Sequence, residues 1–215
     1  YFANVSSYLQ YSIIEGLNIK TILGGDLNNT QNFFSRTLEF DSQARTNQTA
    51  LNNTNLNSSS VLSETTLNYG KTLGKHDVSA VAGAEFQTFF NIGKTLSGQN
   101  LPYGQPLNYA LLNPADISVS ERDETITRRS VFGRVNYAYD NRYMASLSAR
   151  RDGDSRFGVN NRYATFPAVS LGWNVHNESF YNSELLTGLK LRVSSGSLGT
   201  TSFLGAYNSL SLLNP

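Results

Sequence analysis

The chain has 215 residues, with 17 Lys+Arg against 16 Asp+Glu and a formal net charge of +1, a balance that supplies no basic stripe for nucleic acid. It has no cysteine, which excludes a disulfide framework, a thiolate metal site and a cysteine nucleophile. Only 15% of residues are charged, below the roughly 25% usual in soluble domains, and no run approaches the roughly 20 apolar residues of a membrane-spanning helix.

A helical membrane protein is therefore excluded. A membrane β-barrel is not, because only every second residue of its strands must be apolar. The 12 Tyr, 12 Phe and 17 Gly, with abundant Ser, Thr and Asn, read as an all-β chain rich in turns. The chain opens at Tyr1 with no initiator Met or leader and closes on Leu213-Asn214-Pro215, which reads as loop. The expectation is an excerpt of a longer protein.

In chain order, a first strand is expected near 2–13, closed by the tight turn Ile14-Glu15-Gly16. The second, near 17–38, separates Leu17, Ile19, Thr21 and Leu23 from Asn18, Lys20, Ile22 and Gly24. A long polar loop is expected near 39–58. The third strand, 59–73, meets the fourth, 77–92, through the tight turn Gly74-Lys75-His76. In the fourth, Val78, Ala80, Ala82, Ala84 and Phe86 alternate with Ser79, Val81, Gly83, Glu85 and Gln87. A second long loop is expected near 93–124.

The fifth strand, 125–139, sets Val131, Gly133, Val135 and Tyr137 against Phe132, Arg134 and Asn136. After the turn Asp140-Asn141, the sixth, 142–154, sets Tyr143, Ala145, Leu147 and Ala149 against Met144, Ser146, Ser148 and Arg150. A shorter loop near 155–164 leads to the seventh strand, 165–176. The connection 177–186 is expected to hold a helical turn around Glu184-Leu185-Leu186. The eighth strand, 187–199, sets Leu189, Leu191 and Val193 against Lys190, Arg192 and Ser194.

A period of two puts each set on its own face of a strand. Short turns at one end and long loops at the other is the asymmetry of outer-membrane barrels. Tyr137, Tyr139 and Tyr143 gather at one strand end, and Phe86, Phe89 and Phe90 near the other, as interfacial girdles do. Core aromatics of a soluble β-domain are the rival reading. By parity alone, the lumen-facing candidates are Asn18, Lys20, Glu85, Gln87, Arg134, Asn136, Ser146, Ser148, Lys190 and Arg192.

No catalytic, cofactor or metal site is read from the sequence. Asp152-x-Asp154-x-Arg156-x-Gly158 superficially resembles a calcium loop, but Arg takes the third ligand position and no Glu closes it. His76 and His176, the only histidines, fall at strand ends without a second ligand at metal spacing, and read as solvated turn residues. No Gly-x-Ser-x-Gly, phosphate loop or dinucleotide fingerprint occurs.

Two stretches exceed generic pattern. One is Arg150-Arg151-Asp152-Gly153-Asp154-Ser155-Arg156-Phe157-Gly158, followed by Asn160-Asn161-Arg162-Tyr163-Ala164-Thr165-Phe166-Pro167-Ala168-Val169-Ser170-Leu171-Gly172-Trp173. The other is Leu189-Lys190-Leu191-Arg192-Val193-Ser194-Ser195-Gly196-Ser197-Leu198-Gly199. Together they resemble the barrel of the SusC/RagA family of TonB-dependent transporters of the Bacteroidetes. Asp154 stands where that pattern has Ser, and Gly199-Thr200-Thr201 replaces its usual ending. Ser130 to Tyr137 resembles the preceding strand of the family; the first hundred residues fit only in pattern.

Within this motif, Arg150 and Arg156 beside Asp152 and Asp154 are expected to pair and order a loop base. Gly153 and Gly158 permit positive φ at tight bends. Pro167 opens a strand, where it costs no central ladder bond. Phe157, Arg162, Phe166, Gly172 and Trp173 complete a structural corner; direct ligand contact is the second reading.

The resemblance implies about eight strands, residues 1–215, of one larger antiparallel transmembrane β-barrel with a plugged lumen, its plug and remaining strands lying outside this chain. It implies import of a nutrient such as an oligosaccharide or peptide, a SusD-like lipoprotein capping the outer face, and TonB acting through segments elsewhere. The loops 39–58 and 93–124 are then expected near the lid. The rival readings are a passive or structural outer-membrane barrel and a soluble β-rich glycan-binding domain.

Overall fold

Alternating polar and apolar positions fix the register of a strand, since a slip of one residue would exchange its faces. Eight strands result: β1 Phe2–Ile14, β2 Leu17–Arg36, β3 Ala50–Leu73, β4 His76–Gln99, β5 Ile117–Tyr139, β6 Tyr143–Asp154, β7 Tyr163–Asn174 and β8 Lys190–Gly196. They form one sheet in strictly sequential order, β1 to β8. The computed structural model describes residues 1–36, 50–100, 106, 108–183, 185–201 and 204–207, with only the backbone at 159. Among the described residues no helix is long and apolar enough to cross a membrane.

The turns follow from local chemistry. Gly16 and Gly74 sit at φ +81° and +59° in the two-residue connections β1–β2 and β3–β4. Between β5 and β6, Asp140 and Asn141 both take positive φ, at 51° and 55°, and the Arg142 amide donates to the Tyr139 carbonyl at 2.8 Å. Two left-handed central residues match the twist of the flanking strands, and Asp and Asn tolerate that region best after glycine.

The described residues fall into two compact units. One comprises 1–5, 25–60 and 89–125. Here the structure corrects the sequence reading. Residues 50–58 and 93–99, expected as loop, are strand, as are 117–124; residues 37–49 lie outside the described residues. Asn and Thr side chains satisfy one another across these strands: Asn29 donates to Asn55 at 3.1 Å, and Thr54 and Thr95 hydroxyls meet at 3.3 Å. Between β4 and β5, short 3-10 turns at Tyr109–Leu111 and Pro114–Asp116 are capped by the Asn108 and Asn113 side chains, which accept from Ala110 and Ala115 amides at 2.9 and 3.2 Å. They carry Leu112 onto Leu51, the one side chain of this unit that is fully buried among the described residues.

The other unit comprises 6–24, 61–88 and 126–215. Its strands β5–β8 pair antiparallel without a break in register. The helical turn expected at Glu184-Leu185-Leu186 is instead a 3-10 turn at Val175–Asn177; Glu184 lies outside the described residues, and Leu185 and Leu186 are non-helical. There the Asn174 and Asn177 side chains both donate to the Asn141 carbonyl, at 2.6 and 2.9 Å. These bonds tie the longer connection to the adjacent hairpin.

Candidate functional site

Register turns the sequence sets of the second unit into two chemically opposite faces. Asn136 stands opposite Ser146, Ser146 opposite Ser170, and Ser170 opposite Ser194. This row of four short polar side chains crosses β5–β8 at one level. The other parity carries Val131, Val135, Tyr137, Tyr143, Leu147, Val169, Leu171, Leu191 and Val193, each 38–65% exposed. An apolar patch of this extent is a liability in water and suits a lipid or protein partner.

The polar row floors a cavity of about 460 Å³ that gathers five of the ten lumen candidates: Arg134, Asn136, Ser146, Lys190 and Arg192. Asp77, Met144, Ser170 and Ser194 join them. Asp77 escaped the sequence reading because alternation was followed only from Val78; one more step back would have placed it on the Ser79 face. Ser148 pairs across the strands with Arg134.

The remaining candidates stand on β2 and β4. Asn18 accepts from Asn68 at 3.3 Å, Asn68 also donates to Thr66 at 3.1 Å, and a Cβ on Gly83 would meet both Thr66 and the Phe132 ring. The Arg150 guanidinium lies 5.3 Å over that ring. Glu85 accepts from Arg150 at 3.2 Å, Lys20 lies 4.8 Å over the Tyr8 ring, and Gln87 is half-buried two residues beyond Glu85.

The motif residues build a corner at the far end of β6. Arg150 donates to Asp152 at 2.6 Å and to Ser130 at 2.9 Å. Asp154 and Arg156, each 6% exposed, pair through two side-chain bonds of 2.9 and 2.6 Å. Arg128 adds a contact to Asp154 at 3.3 Å. Arg156 also donates to the Thr201 and Leu204 carbonyls at 2.9 and 3.3 Å and to the Thr201 hydroxyl. A planar fork with five N–H donors is the group suited to so many acceptors at once. Phe157, Arg162 and Phe166 line a cavity of about 510 Å³ beside this cluster, with Arg150, Asp152 and Gly153. The Ser197 amide donates to the Pro167 carbonyl at 3.1 Å.

Neither Gly153 nor Gly158 uses the positive φ open to glycine. Positive-φ glycines among the described residues are Gly16 and Gly74, and Gly158 has φ −58°. Gly153 is required for space: the Tyr163 ring lies where its Cβ would be.

The opposite strand ends hold a second polar cluster. Glu178 accepts from the Trp173 indole at 3.0 Å and from Arg142 at 3.3 Å. Its carboxyl is held below the ordinary value, first by the Tyr143 hydroxyl and then by the indole, against the opposing effect of burial, with Arg142 adding to the lowering. The Tyr143 and Trp173 rings stack at 6.4 Å, and Gly172 faces Met144. His76 is exposed at its turn and His176 half-buried, and each makes a hydrogen bond. His76 Nδ1 bonds the Tyr137 hydroxyl at 2.8 Å between the Tyr137 and Tyr139 rings, and His176 Nδ1 bonds the Leu189 carbonyl at 2.9 Å. Among the described residues no group of three or more His, Asp or Glu could hold a metal ion.

Known proteins share this pattern. The chain is 33% identical over 208 residues to TonB-dependent receptor P3 of Formosa agariphila, covering 94% of this chain and 20% of that protein. It is 36% identical over 135 residues to TonB-dependent receptor SusC of Bacteroides thetaiotaomicron, covering 61% and 13%. Of solved structures, the RagAB peptide transporter matches with a TM-score of 0.80 at 27% identity, over 98% of this chain and 24% of that one. No family model matches. The matches span between 13% and 21% of the length of the curated relatives.

Proposed function

We propose, for a chain that is part of a SusC/RagA-like TonB-dependent transporter, that the whole protein actively imports an oligosaccharide or peptide across the bacterial outer membrane. The fold is part of a transmembrane β-barrel. TonB supplies the energy through segments beyond these strands, and a SusD-like lipoprotein covers the outer mouth. RagAB is a peptide transporter, which keeps peptide beside oligosaccharide as cargo; the lipoprotein partner rests on the family resemblance.

The observation that carries this reading is the two-faced wall. The exposed apolar set from Val131 to Val193 meets lipid, and the polar row from Asn136 to Ser194 meets the lumen. Asn18, Lys20, Glu85, Gln87, Arg134, Ser148, Lys190 and Arg192 share the lumen face in this reading. The corner at Arg150–Phe166 braces the outer strand ends and takes no part in chemistry.

Uptake by cells carrying the intact gene is the test. Loss of uptake on deleting the gene, and equally on collapsing the proton-motive force, is the expected result. Uptake that persists after collapse identifies a passive barrel instead. A protein that purifies folded and monomeric without detergent would sink both membrane readings.

A further inference from the structure

We infer that Arg129 and Arg151 form a binding site for the phosphate of an outer-leaflet glycolipid, on the outward face at the outer edge of the apolar band. The inference rests on the barrel reading above. Both arginines are exposed and share the parity of Val131, Val135 and Leu147, the face assigned to lipid. Arg129 stands opposite Gly153 and Arg151 opposite Val131, so the two are diagonal neighbours with Cα atoms roughly 7–8 Å apart.

Two like charges this close at the edge of a low-dielectric region are unfavourable without a counter-ion. No carboxylate supplies one: among the described residues neither arginine forms an ion pair. Their immediate neighbours contrast sharply, since Arg128 pairs with Asp154, and Arg150 with Glu85 and Asp152, on the other face.

Aromatic rings hold both guanidiniums. Arg129 lies 5.4 Å over Phe86, and Arg151 lies 5.3 Å over Tyr163. Stacking occupies the planar face of a guanidinium and leaves its in-plane N–H groups free to fork onto phosphate oxygens. The two arginines, both rings, Ser63 and Thr65 line a hollow of about 630 Å³ together with Glu85, whose carboxylate is paired with Arg150. The hydroxyls and ring faces suit a sugar, and the apolar residues beside them suit acyl chains.

Height selects the ligand. Eight residues separate Tyr143 from Arg151, which at about 3.3 Å each and a strand tilt near 40° gives roughly 20 Å along the membrane normal. An apolar band is about 25 Å tall between its girdles. With Tyr143 in the lower girdle, Arg129, opposite Gly153, stands at the outer edge of the band and Arg151 about 5 Å inside it, a distance an arginine side chain spans to place its guanidinium at the headgroup level, where a glycolipid carries its phosphates.

The whole barrel is purified in mild detergent and examined by native mass spectrometry with bis-phosphorylated lipid A or its dephosphorylated form at equal concentration. The expected result is about tenfold greater retention of the phosphorylated form. That preference disappears in the R129Q/R151Q double variant and is partly kept in R129K/R151K. Millimolar inorganic phosphate leaves the bound lipid in place, which distinguishes a lipid site from a free-anion site. Equal retention of both forms by the wild-type barrel overturns the inference, and needs no variant to fold. Displacement by inorganic phosphate overturns it too, as does a dimer that R129Q/R151Q dissociates with lipid retention unchanged. Cell fractionation separates the two layers of argument. Absence from the outer membrane sinks the barrel reading, whereas an outer-membrane protein without phosphate preference sinks the lipid site alone.

Discussion

Replacing Arg156 by Ala should loosen the corner by about 3 kcal/mol. The wild-type guanidinium makes two bonds to Asp154, at 2.9 and 2.6 Å, and reaches the Thr201 and Leu204 carbonyls at 2.9 and 3.3 Å. Its removal leaves a carboxylate that is 6% exposed. The compensation left to Asp154 is the Arg128 contact at 3.3 Å and the Arg156 amide at 3.0 Å. Breaking a buried pair costs about 3–5 kcal/mol when one charge is stranded, and Arg128 places this case at the lower end. Amide hydrogen exchange reads the local opening. The Ser155 amide donates to Thr127 at 2.9 Å and the Phe157 amide to Asp154 at 3.2 Å, so these two report on the corner. At 1.36 kcal/mol per decade, they should exchange on the order of a hundredfold faster in R156A. R162A, at an exposed neighbour, should change them less than threefold. Protection in R156A within about threefold of wild type would refute the reasoning, because the pair would then add nothing to the corner it bridges.

Cysteine scanning tests the faces directly: S148C in the intact membrane protein should react with a bulky aqueous reagent, and L147C should not, the reverse pattern showing the parity inverted. The substitution G16A should lower the barrel's thermal unfolding midpoint, because Gly16 holds φ +81° and the Gly70 carbonyl occupies the path of a Cβ. The left-handed strain alone is worth roughly 1–2 kcal/mol, and an unchanged midpoint would contradict that contact. Glu178 has a depressed value in the folded protein, so its contribution to stability is present above the ordinary value of 4.5 and is lost as pH falls through the folded value. Emission from Trp173, isolated by subtracting a W173F variant, should stay constant down to about pH 4.5 and shift only below it. E178Q should abolish that shift, and a wild-type transition above pH 4.5 would reverse the assigned sign.

Period two made the eight strands and the tight turns legible, because burial and exposure on opposite faces leave their mark in single residues such as Leu147 and Ser148. The outer reaches of β3, β4 and β5 were not legible. Asn52, Asn53, Thr54, Asn55 and Asn57 carry the composition of a loop, yet their backbone lies in strand and side-chain amides pair across it. Strand preference in such positions comes from neighbours, not from the residue itself. The arginine-rich corner was visible as a motif, including pairing to Asp152 and Asp154. The other acceptors of Arg156, at Thr201 and Leu204, lie more than forty positions on, and local spacing carries no sign of them. The constraint on Gly153 has a related origin: it is the Tyr163 ring from the next strand, not its own dihedral angle.

The sequential order of β1 to β8 has a kinetic side. Every strand has its partners immediately before and after it in the chain, so pairing never waits for distant segments to meet. Closing a short connection costs little chain entropy, and that cost grows only slowly with length. Such a sheet can grow by adding one hairpin at a time, each new strand satisfying the open edge of the last. The edge that is a hazard in a finished sheet is, during assembly, the template that sets the next register.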